Sequence, residues 1–500
     1  MATEMLSFYK DKVILLTGGT GFLGKVLVEK LLRSTEVKCI YLLIRQKRGR
    51  SISQRIEDLF SDPLFATLLE TNPEVKYSQR VTAVYGDCVL PNLGLTSADA
   101  LKLIEQVDIV VHGAATVRFD ETLSVALTIN VRATVDLIQL AKQMVKLKAF
   151  VHVSSAFANC TVSHIEERYY VDQIGVSAER ICSMLDQVGA EHLNSMDETL
   201  RGVYPNTYCF SKALAEDVVL TQGTGLPICV FRPGIVISTC KEPAPGWIDN
   251  LHGPTSILLG VASGVLRVIY AHMNCNAHLV PVDFCANAML ACVWHTSVAS
   301  KKPAATPPIF NLVPVSDNVL QWREYRRILE SSGKTIPLSS MLWYPFLIDT
   351  ESELMYAVLT FLLHTLPGYL MDFCLLLMGR KRRMVKMYSK IQKQTGVLRY
   401  FMRYQWTFDT SNSAALWQTL STKDQQLFPF DMSSIDWANF FYNSFVGMRL
   451  YLAKDDPATI PKALKRMKLF LIIHRTLQMV LCGGALLLLF WTIKWILELN

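Results

Sequence analysis

The stretch KVILLTGGTGFLG, residues 12–24, decides the fold of the first part of the chain. A short apolar run ends abruptly at Gly18, and Gly21 and Gly24 follow before a helical pattern begins. Glycines let the backbone approach a dinucleotide pyrophosphate, and the free N–H groups of the helix start bind its charge. The spacing is G-x-x-G-x-x-G rather than the usual G-x-G-x-x-G, so an ordinary tight turn between strand and helix is the alternative.

The second predicted strand, residues 38–45, indicates which nucleotide is bound. It ends in Arg45, where NAD sites usually place Asp or Glu. A carboxylate would repel the 2′-phosphate of NADPH, whereas a guanidinium can bind it with two hydrogen bonds. We therefore expect NADPH. The basic residues that follow, Lys47, Arg48 and Arg50, are better interpreted as a solvated loop.

A tyrosine and a lysine stand four residues apart at Tyr208 and Lys212, after Pro205 and Asn206, which can begin a helix. Residues at i and i+4 share one face of a helix. An ammonium beside a phenol favours the phenolate, so Tyr208 could exchange a proton near neutral pH. The alternative is an ordinary surface pair, because such a spacing can arise by chance.

Two further predicted strands end in residues suited to a site. The strand 150–153 ends in Ser154 and Ser155, and the strand 107–111 is followed by small residues that include Ala114. Ligands of α/β sheets bind at the carboxyl ends of the strands. Ser155 could therefore hydrogen-bond a substrate carbonyl, Ser154 is interpreted as a turn residue, and the small residues would leave room for the cofactor.

Composition restricts the class of protein. The chain has 500 residues, 51% of them hydrophobic, and a formal net charge of +7. That length allows two or more domains, and the modest positive charge suits acidic partners such as nucleotide cofactors and anionic lipid heads. We see no nucleic-acid module. The twelve cysteines form no CxxC pair and no metal-binding spacing with His, which favours a reduced compartment and predicts no metal site.

Several motifs together make the chain resemble an extended short-chain dehydrogenase/reductase and, more narrowly, an alcohol-forming fatty acyl-CoA reductase. The broad resemblance rests on the glycine stretch, HGAA at 112–115, Ser155, the Tyr208/Lys212 pair and FRPG at 231–234. The narrow resemblance rests on VHGAATVRFD at 111–120, PNTY at 205–208 and KEPAPGWIDN at 241–250. It covers nearly the whole chain.

The composition along the chain predicts a reductase domain at 1–330, a helical domain at 340–465 and a transmembrane anchor at 476–495. The resemblance implies a Rossmann-type doubly wound parallel α/β sheet in the first of these domains. It also implies residue roles. Ser155 would polarise a thioester carbonyl, Tyr208 would donate the proton, Lys212 would also hold the nicotinamide ribose, and Asn130 would support a water relay to the lysine. The cofactor-binding residues would be Gly18, Thr20, Gly21, Phe22, Leu23 and Gly24 at the pyrophosphate, Arg45 at the 2′-phosphate, Asp87 near the adenine, and Ala114, Tyr208 and Lys212.

The function implied is NADPH-dependent reduction of a long-chain fatty acyl-CoA to a primary alcohol, with release of CoA and an aldehyde-level intermediate. One alternative is a membrane-bound extended reductase that acts on a sterol, a sugar nucleotide or another lipid carbonyl. A second is a reductase that stops at the aldehyde, and a third is a scaffold that binds nucleotide without catalysis. The oligomeric state is left open.

Two C-terminal segments predict contact with membrane lipid. Residues 357–378 are apolar but interrupted by His364, Pro367-Gly368 and Asp372, which favours a helical hairpin at the membrane face or a lid over an acyl tunnel. The basic run 380–383 suits lipid headgroups or a solvated helix end.

The last segment predicts a single-pass anchor. Residues 476–493 are uncharged and, at about 1.5 Å each, would reach roughly 27 Å as a helix. Basic residues precede them, which places the catalytic domain in the cytosol, at the endoplasmic reticulum or the peroxisome. A buried core helix and a monotopic anchor are the alternatives.

Overall fold

The computed structural model describes residues 3–46, 49–71, 76–299 and 306–498. Its main sheet is seven-stranded, in the order β7-β6-β5-β4-β1-β2-β3, and every neighbouring pair is parallel. The strands are β1 (Val13–Thr17), β2 (Cys39–Ile44), β3 (Val81–Tyr85), β4 (Ile109–His112), β5 (Ala149–Val153), β6 (Ile228–Pro233) and β7 (Ile309–Leu312). The strand order reverses at β1 and β4, the point where doubly wound sheets bind ligands, so the predicted Rossmann-type fold is confirmed.

The composition of the strands explains why they form an interior sheet. β1 reads VILLT and β5 reads AFVHV, and every residue of both strands is buried. Parallel strands are covered on both faces, so continuous apolar runs replace the alternating pattern of a half-exposed sheet. The glycines that follow β1 end the strand and lead directly into the helix Phe22–Ser34.

The described chain divides into two compact units, and each is discontinuous in sequence. The first comprises Met1–Ile248, Asn274–Trp322 and Tyr404–Phe440, and the second comprises Asp249–Met273, Arg323–Arg403 and Phe441–Asn500. The predicted domains at 1–330 and 340–465 were continuous segments, whereas the chain enters and leaves each unit more than once.

The first unit contains the main sheet and the helices around it. These helices span Glu4–Tyr9, Phe22–Ser34, Ile52–Phe60, Ala66–Thr71, Ser97–Gln106, Leu123–Leu127, Ala133–Ala141, Val171–Ile174, Ala178–Ser195, Asp197–Arg201, Thr207–Gln222, Val282–Ala299, Ser411–Thr419 and Thr422–Leu427. The last segment of the first unit, Tyr404–Phe440, is held in place by contacts with residues that are distant in sequence. The strand Thr407–Phe408 pairs with His164–Ile165, and the Lys30 ammonium donates to the Leu427 carbonyl at 2.5 Å.

The second unit is mainly helical. Its α-helices span Pro254–Ala262, Trp322–Thr335, Glu353–Thr360, Leu366–Leu377, Met384–Arg403, Trp437–Gly447 and Ile460–Glu498. The second and the sixth of these helices begin in segments of the first unit, which end at Trp322 and Phe440. A short parallel pair joins Val268–Tyr270 to Ile348–Thr350.

Three helices of the described chain are long and apolar enough to cross a membrane. Leu123–Ala141 is 61% buried within the first unit and is therefore a core helix. The apolar window of Pro457–Glu498 has no buried residue, which fits the predicted membrane anchor. Glu353–Leu377 is 17% buried.

The helix Glu353–Leu377 is continuous, although Pro367-Gly368 was expected to interrupt it. The backbone widens into a π-helical turn over Phe361–Thr365, and Pro367 lies in the first turn of the α-helical part that follows. A wide turn before the proline accommodates its ring and its missing N–H, so the helix continues. The Asp372 carboxylate then accepts the backbone N–H groups at the start of the next helix, Met384–Arg403, which completes a helical hairpin.

Candidate functional site

The glycine loop is shaped by close backbone contacts. Gly18 has φ of +78°, and a Cβ there would lie 2.8 Å from the amide nitrogen of Ala114. A Cβ at Gly24 would lie 2.2 Å from the Gly18 carbonyl oxygen. Gly21 begins the helix Phe22–Ser34 without a side-chain cap, so a capping side chain does not compete for the first N–H groups. These features suit the binding of a pyrophosphate.

The segment after Gly21 is supported from a distant part of the sequence. The Phe22 ring stacks on Trp247, with 5.4 Å between ring centroids, and the Trp247 indole donates to the Asp62 carboxylate at 3.1 Å. Lys25 pairs with the same carboxylate at 2.6 Å. The GWIDN motif therefore supports the glycine loop, while Leu23 is half-buried beside it.

Two arginines lie together beyond the end of β2. Arg45 is exposed, and the Arg55 guanidinium donates to the Arg45 carbonyl at 2.7 Å and to the Thr20 hydroxyl at 2.6 Å. Partial burial and the Arg45 charge lower the pKa of Arg55. Neighbouring guanidinium groups favour binding of an anion. Sequence reasoning missed Arg55, and Lys47 and Arg48 lie outside the described residues.

A chain of hydrogen bonds follows β4. The Thr17 hydroxyl accepts from the Ala114 amide at 3.1 Å and lies 2.7 Å from His112 Nδ1. His112 Nε2 lies 3.1 Å from the Thr134 hydroxyl. Burial lowers the pKa of His112 to about 3, so the ring is neutral. The Thr134 hydroxyl donates to the Asn130 carbonyl at 2.8 Å, so it accepts from His112 Nε2, and we assign the ring proton to Nε2.

Asp87 lies after β3, beyond the same ends of the strands as the glycine loop. Its carboxylate accepts from the Val89 amide at 3.1 Å, and its own amide donates to the Leu93 carbonyl at 2.8 Å. These bonds fix the turn after the strand.

Ser155, Tyr208 and Lys212 are brought together at the end of β5. The Tyr208 phenol and the Ser155 hydroxyl are hydrogen-bonded. The Lys212 ammonium donates to the carbonyl of Val153, the last residue of β5, at 2.7 Å. Tyr208 and Lys212 lie in the helix Thr207–Gln222, and the Asn206 side chain caps its start by accepting from the Cys209 amide at 2.9 Å. The helix start and the two-residue step from Val153 to Ser155 therefore place the three side chains at one point.

From the sequence, the Lys212 ammonium is expected to favour the phenolate of Tyr208, but the structure favours the neutral phenol. Burial raises the pKa of Tyr208, and the hydrogen bond to Ser155 lowers it only in part. Burial lowers the pKa of Lys212 to about 8. Since the ammonium is directed at the Val153 carbonyl, Tyr208 is a neutral phenol, the form that can donate a proton.

Asn130 lies in a π-helical turn over Thr128–Arg132 and joins two elements of the site. Its side-chain oxygen accepts from the Thr116 amide at 2.9 Å, and its side-chain nitrogen donates to the Ser211 hydroxyl at 2.9 Å. Both ends of the amide therefore fix the loop after β4 to the Tyr208 helix. The water relay to Lys212 stays a prediction.

A buried ionic network lies one helical turn beyond Lys212. Glu216 accepts from Arg232 at 2.8 and 2.5 Å, from the Ser154 hydroxyl at 2.5 Å and from the Asn159 amide at 3.1 Å. The Glu216 charge raises the pKa of Lys212 against the larger effect of burial. Sequence reasoning missed Glu216, although Arg232 belongs to the FRPG motif.

His278 and Asp283 match the spacing of an acyltransferase pair but have separate partners. His278 Nε2 lies 3.2 Å from the Trp406 carbonyl. The Asp283 carboxylate accepts from the backbone amides of Cys240 and Lys241, each at 2.8 Å. Asp283 therefore caps the loop that precedes Trp247. Among residues 3–46, 49–71, 76–299 and 306–498, no group of His, Cys, Asp and Glu could hold a metal ion.

Comparisons with known proteins identify the family of the chain. Two family models, an NAD-binding one and a second one, are both described as male sterility protein and match residues 16–289 and 363–455. The chain is 47% identical to fatty acyl-CoA reductase wat of Drosophila melanogaster over 95% of this chain and 90% of that protein. It is 37% identical to fatty acyl-CoA reductase 1 of Rattus norvegicus, over 92% and 88% respectively.

A solved structure shares the fold. The reductase domain of a non-ribosomal peptide synthetase from Mycobacterium tuberculosis matches with a TM-score of 0.57 at 20% identity, over 90% of this chain and 96% of that chain. The sheet order, the NAD-binding family match over more than half of the chain and the near full-length relatives lead to one conclusion: the protein is an oxidoreductase of the fatty acyl-CoA reductase family.

Proposed function

We propose that this chain reduces a long-chain fatty acyl-CoA to a primary fatty alcohol with NADPH, releasing CoA through an aldehyde-level intermediate. The observation that carries the proposal is the grouping of Ser155, Tyr208 and Lys212 at the end of β5. Relatives named fatty acyl-CoA reductases support the choice of substrate.

The residues present fit NADPH. The close approach at Gly18 and the uncapped helix start would receive the pyrophosphate, and Arg45 with Arg55 would receive the 2′-phosphate. When bound, the nicotinamide supplies the hydride for each reduction. The full set that would hold the cofactor is Gly18, Thr20, Gly21, Phe22, Leu23, Gly24, Arg45, Arg55, Asp87, Ala114, Tyr208 and Lys212.

The side chains at the end of β5 would act on the carbonyl. The hydroxyls of Ser155 and Tyr208 donate hydrogen bonds to the thioester oxygen and stabilise its developing negative charge. The resulting hemithioacetal collapses and CoA leaves as the thiol. The same hydroxyls then bind the aldehyde oxygen, and Tyr208 gives its proton to form the alcohol. The Lys212 ammonium would restore that proton, directly or through the proposed relay at Asn130.

Product analysis tests this function. Detergent-solubilised enzyme would be incubated with NADPH and palmitoyl-CoA while CoA, aldehyde and alcohol are followed together. Alcohol formed with two NADPH consumed per CoA released supports the proposal. Aldehyde with one NADPH would mean that the reaction stops halfway. If no CoA is released with any of several acyl chain lengths, a sterol or another lipid carbonyl becomes the better candidate substrate.

Removing the guanidinium groups should reduce affinity for NADPH selectively. Hydrogen bonds to charged groups are worth about 1.5–3 kcal/mol, so Arg45→Ala and Arg55→Ala should each raise the Kd for NADPH about 10- to 100-fold. The Kd for NADH should hardly change. Fluorescence titration with both nucleotides measures this, with Arg50→Ala as the control because Arg50 pairs with Asp58. Equal losses for the two nucleotides would remove the arginines from the 2′-phosphate site.

The turnover rate should fall on the alkaline side of about pH 8. The pKa of Lys212 is lowered to about 8, so its ammonium is present below that pH and is lost above it. We expect kcat to decline about tenfold per pH unit beyond this point, as for a single required proton. Lys212→Arg keeps the charge, so any activity that it retains should lack the descending limb. If kcat of Lys212→Arg still declines above about pH 8, the proton that controls this decline belongs to a group other than Lys212.

We further propose that the helix Ile460–Glu498 anchors the protein in a membrane. Its uncharged part, 476–493, follows basic residues that include Lys468 and Arg475. Positive charge before the span favours a cytosolic catalytic domain. The endoplasmic reticulum and the peroxisome are the proposed locations.

A further inference from the structure

The helix Glu353–Leu377, here called the hairpin helix, has a reversed polarity pattern. Its protein-facing stripe consists of Thr360, His364, Gly368 and Asp372, all buried. Its outward side carries large apolar side chains that are 40–76% exposed. These are Leu354, Met355, Val358, Phe361, Leu362, Leu366, Tyr369, Leu370, Met371, Phe373, Leu376 and Leu377. A helix that faces water has the opposite arrangement.

The residues of the protein-facing stripe make specific contacts with the rest of the second unit. His364 accepts from the Arg267 amide at 2.9 Å and stacks on Tyr388, with 5.2 Å between ring centroids. A Cβ at Gly368 would lie 3.0 Å from the Tyr388 ring. Asp372 caps the returning helix, Met384–Arg403. The helix therefore cannot rotate to bury its apolar side without breaking these contacts.

Positive charge surrounds the end of the apolar side. The turn between the two helices carries four consecutive exposed basic residues at 380–383. Three residues of the returning helix, Lys386, Lys390 and Lys393, are also exposed. Apolar surface beside clustered Lys and Arg is the pattern of a helix that lies at an anionic lipid surface.

The hairpin helix is linked to the base of the proposed anchor. The Arg267 guanidinium donates to the Leu363 carbonyl at 2.9 Å and lies 5.8 Å from the centre of the Trp343 ring. The Trp343 indole in turn donates to His474 Nδ1 at 3.2 Å. His474 lies two residues before the uncharged span that begins at Thr476. Arg267 and Trp343 therefore connect the hairpin helix to the start of the anchor within the second unit.

We propose that the hairpin helix lies along the surface of the bilayer that receives the anchor, as a second membrane-binding element. Its exposed apolar side enters the lipid to about the depth of the headgroup and acyl boundary. The basic turn at 380–383 binds the phosphates of anionic lipids. The protein is thereby held to the membrane at two places, which fixes the orientation of the second unit.

The same contacts disfavour two other arrangements. Glu353 pairs with Arg399 at 2.6 Å, so the returning helix follows the hairpin helix along its whole length. A spanning hairpin helix would therefore draw Lys386, Lys390 and Lys393 into hydrocarbon. A second copy of the chain would bring an identical basic turn to the same surface, where like charges repel.

Lipid photolabelling of the full-length protein tests the proposal. The protein would be reconstituted in phosphatidylcholine vesicles, with and without phosphatidylserine, that contain a phospholipid with a photoreactive acyl chain. Labelled residues would be located by mass spectrometry. We expect label at the exposed apolar positions of 354–377 as well as in 476–493, which serves as the internal reference. Label on the hairpin helix should increase with phosphatidylserine and decrease with added salt.

Variants separate the apolar from the charged contribution. The triple change Leu362→Glu, Leu370→Glu and Phe373→Glu should lower label on 354–377 about tenfold, because carboxylates are costly in hydrocarbon, and leave the anchor labelled. Leu101→Glu, on an exposed helix of the first unit, is the matched control. Changing the four basic residues at 380–383 to Gln should abolish the dependence on phosphatidylserine and salt. An unchanged melting temperature shows that each variant folds.

Three results would overturn the proposal. Label confined to 476–493 would show that the hairpin helix does not contact lipid. Acyl-chain label on Lys386, Lys390 or Lys393 would show that the hairpin crosses the bilayer. Cross-links between two copies of 354–377 would assign the apolar side to self-association.

Discussion

Replacing Tyr208 by phenylalanine is expected to lower kcat for acyl-CoA reduction by about 10²–10⁴-fold, the range for loss of a positioned proton donor. The raised pKa keeps Tyr208 protonated, and its hydroxyl is hydrogen-bonded to Ser155. The substitution removes that hydroxyl and keeps the ring, which packs 5.3 Å from Phe119. Stopped-flow or steady-state NADPH oxidation gives kcat, and a fluorescence titration should show that NADPH binding is retained.

Tyr204 provides the matched control. It lies four residues before Tyr208, is buried, and its hydroxyl has no hydrogen-bond partner within the described part of the chain. Tyr204→Phe therefore also removes a buried phenol oxygen, but it should leave kcat unchanged. Full activity in Tyr208→Phe, or equal losses in both variants, would show that Tyr208 is not the proton donor.

Replacing Glu216 by glutamine is expected to destabilise the first unit by about 3–5 kcal/mol, as for breaking a buried ion pair. Arg232 is fully buried, so the change leaves its charge without a counter-ion in the interior. Differential scanning fluorimetry should show a lower melting temperature. Glu166→Gln is the control, because its pair with Arg168 is half-exposed and should contribute no more than about 1 kcal/mol.

The same variant has a second measurable effect. The Glu216 charge raises the pKa of Lys212. Its removal should therefore lower that pKa further and move the alkaline limb of the pH–rate profile to lower pH. Equal melting temperatures for Glu216→Gln and Glu166→Gln would contradict the importance of the buried pair, whatever happens to the pH profile.

Local patterns predicted the nucleotide-binding half well. The glycine stretch follows β1 and precedes a helix because each of those elements is encoded in adjacent residues. The step of four between Tyr208 and Lys212 is likewise a property of one helix. Ser155 meets Tyr208 because the start of the helix Thr207–Gln222 lies at the carboxyl end of β5, where Lys212 donates to the Val153 carbonyl.

Partners that are distant in sequence could not be inferred in this way. Arg55 reaches Thr20 from another helix, and Glu216 meets Arg232 only when β6 lies beside the Tyr208 helix. The expected break at Pro367 was wrong because a π-helical turn before it absorbs the proline. The π-helical turn depends on the packing of the whole hairpin, so it cannot be predicted from the positions of helix-breaking residues alone.

The return of Tyr404–Phe440 to the first unit has a consequence for synthesis of the protein. Lys30 is made early, yet one of its hydrogen-bond acceptors is the Leu427 carbonyl. The first unit therefore cannot reach its native packing on the ribosome until residue 440 has emerged, and the intervening segment Arg323–Arg403 must wait or fold independently. An amino-terminal fragment that ends at 330 would leave a nearly buried ammonium short of one acceptor. A fragment that lacks residues 404–440 should therefore be less stable than the full chain.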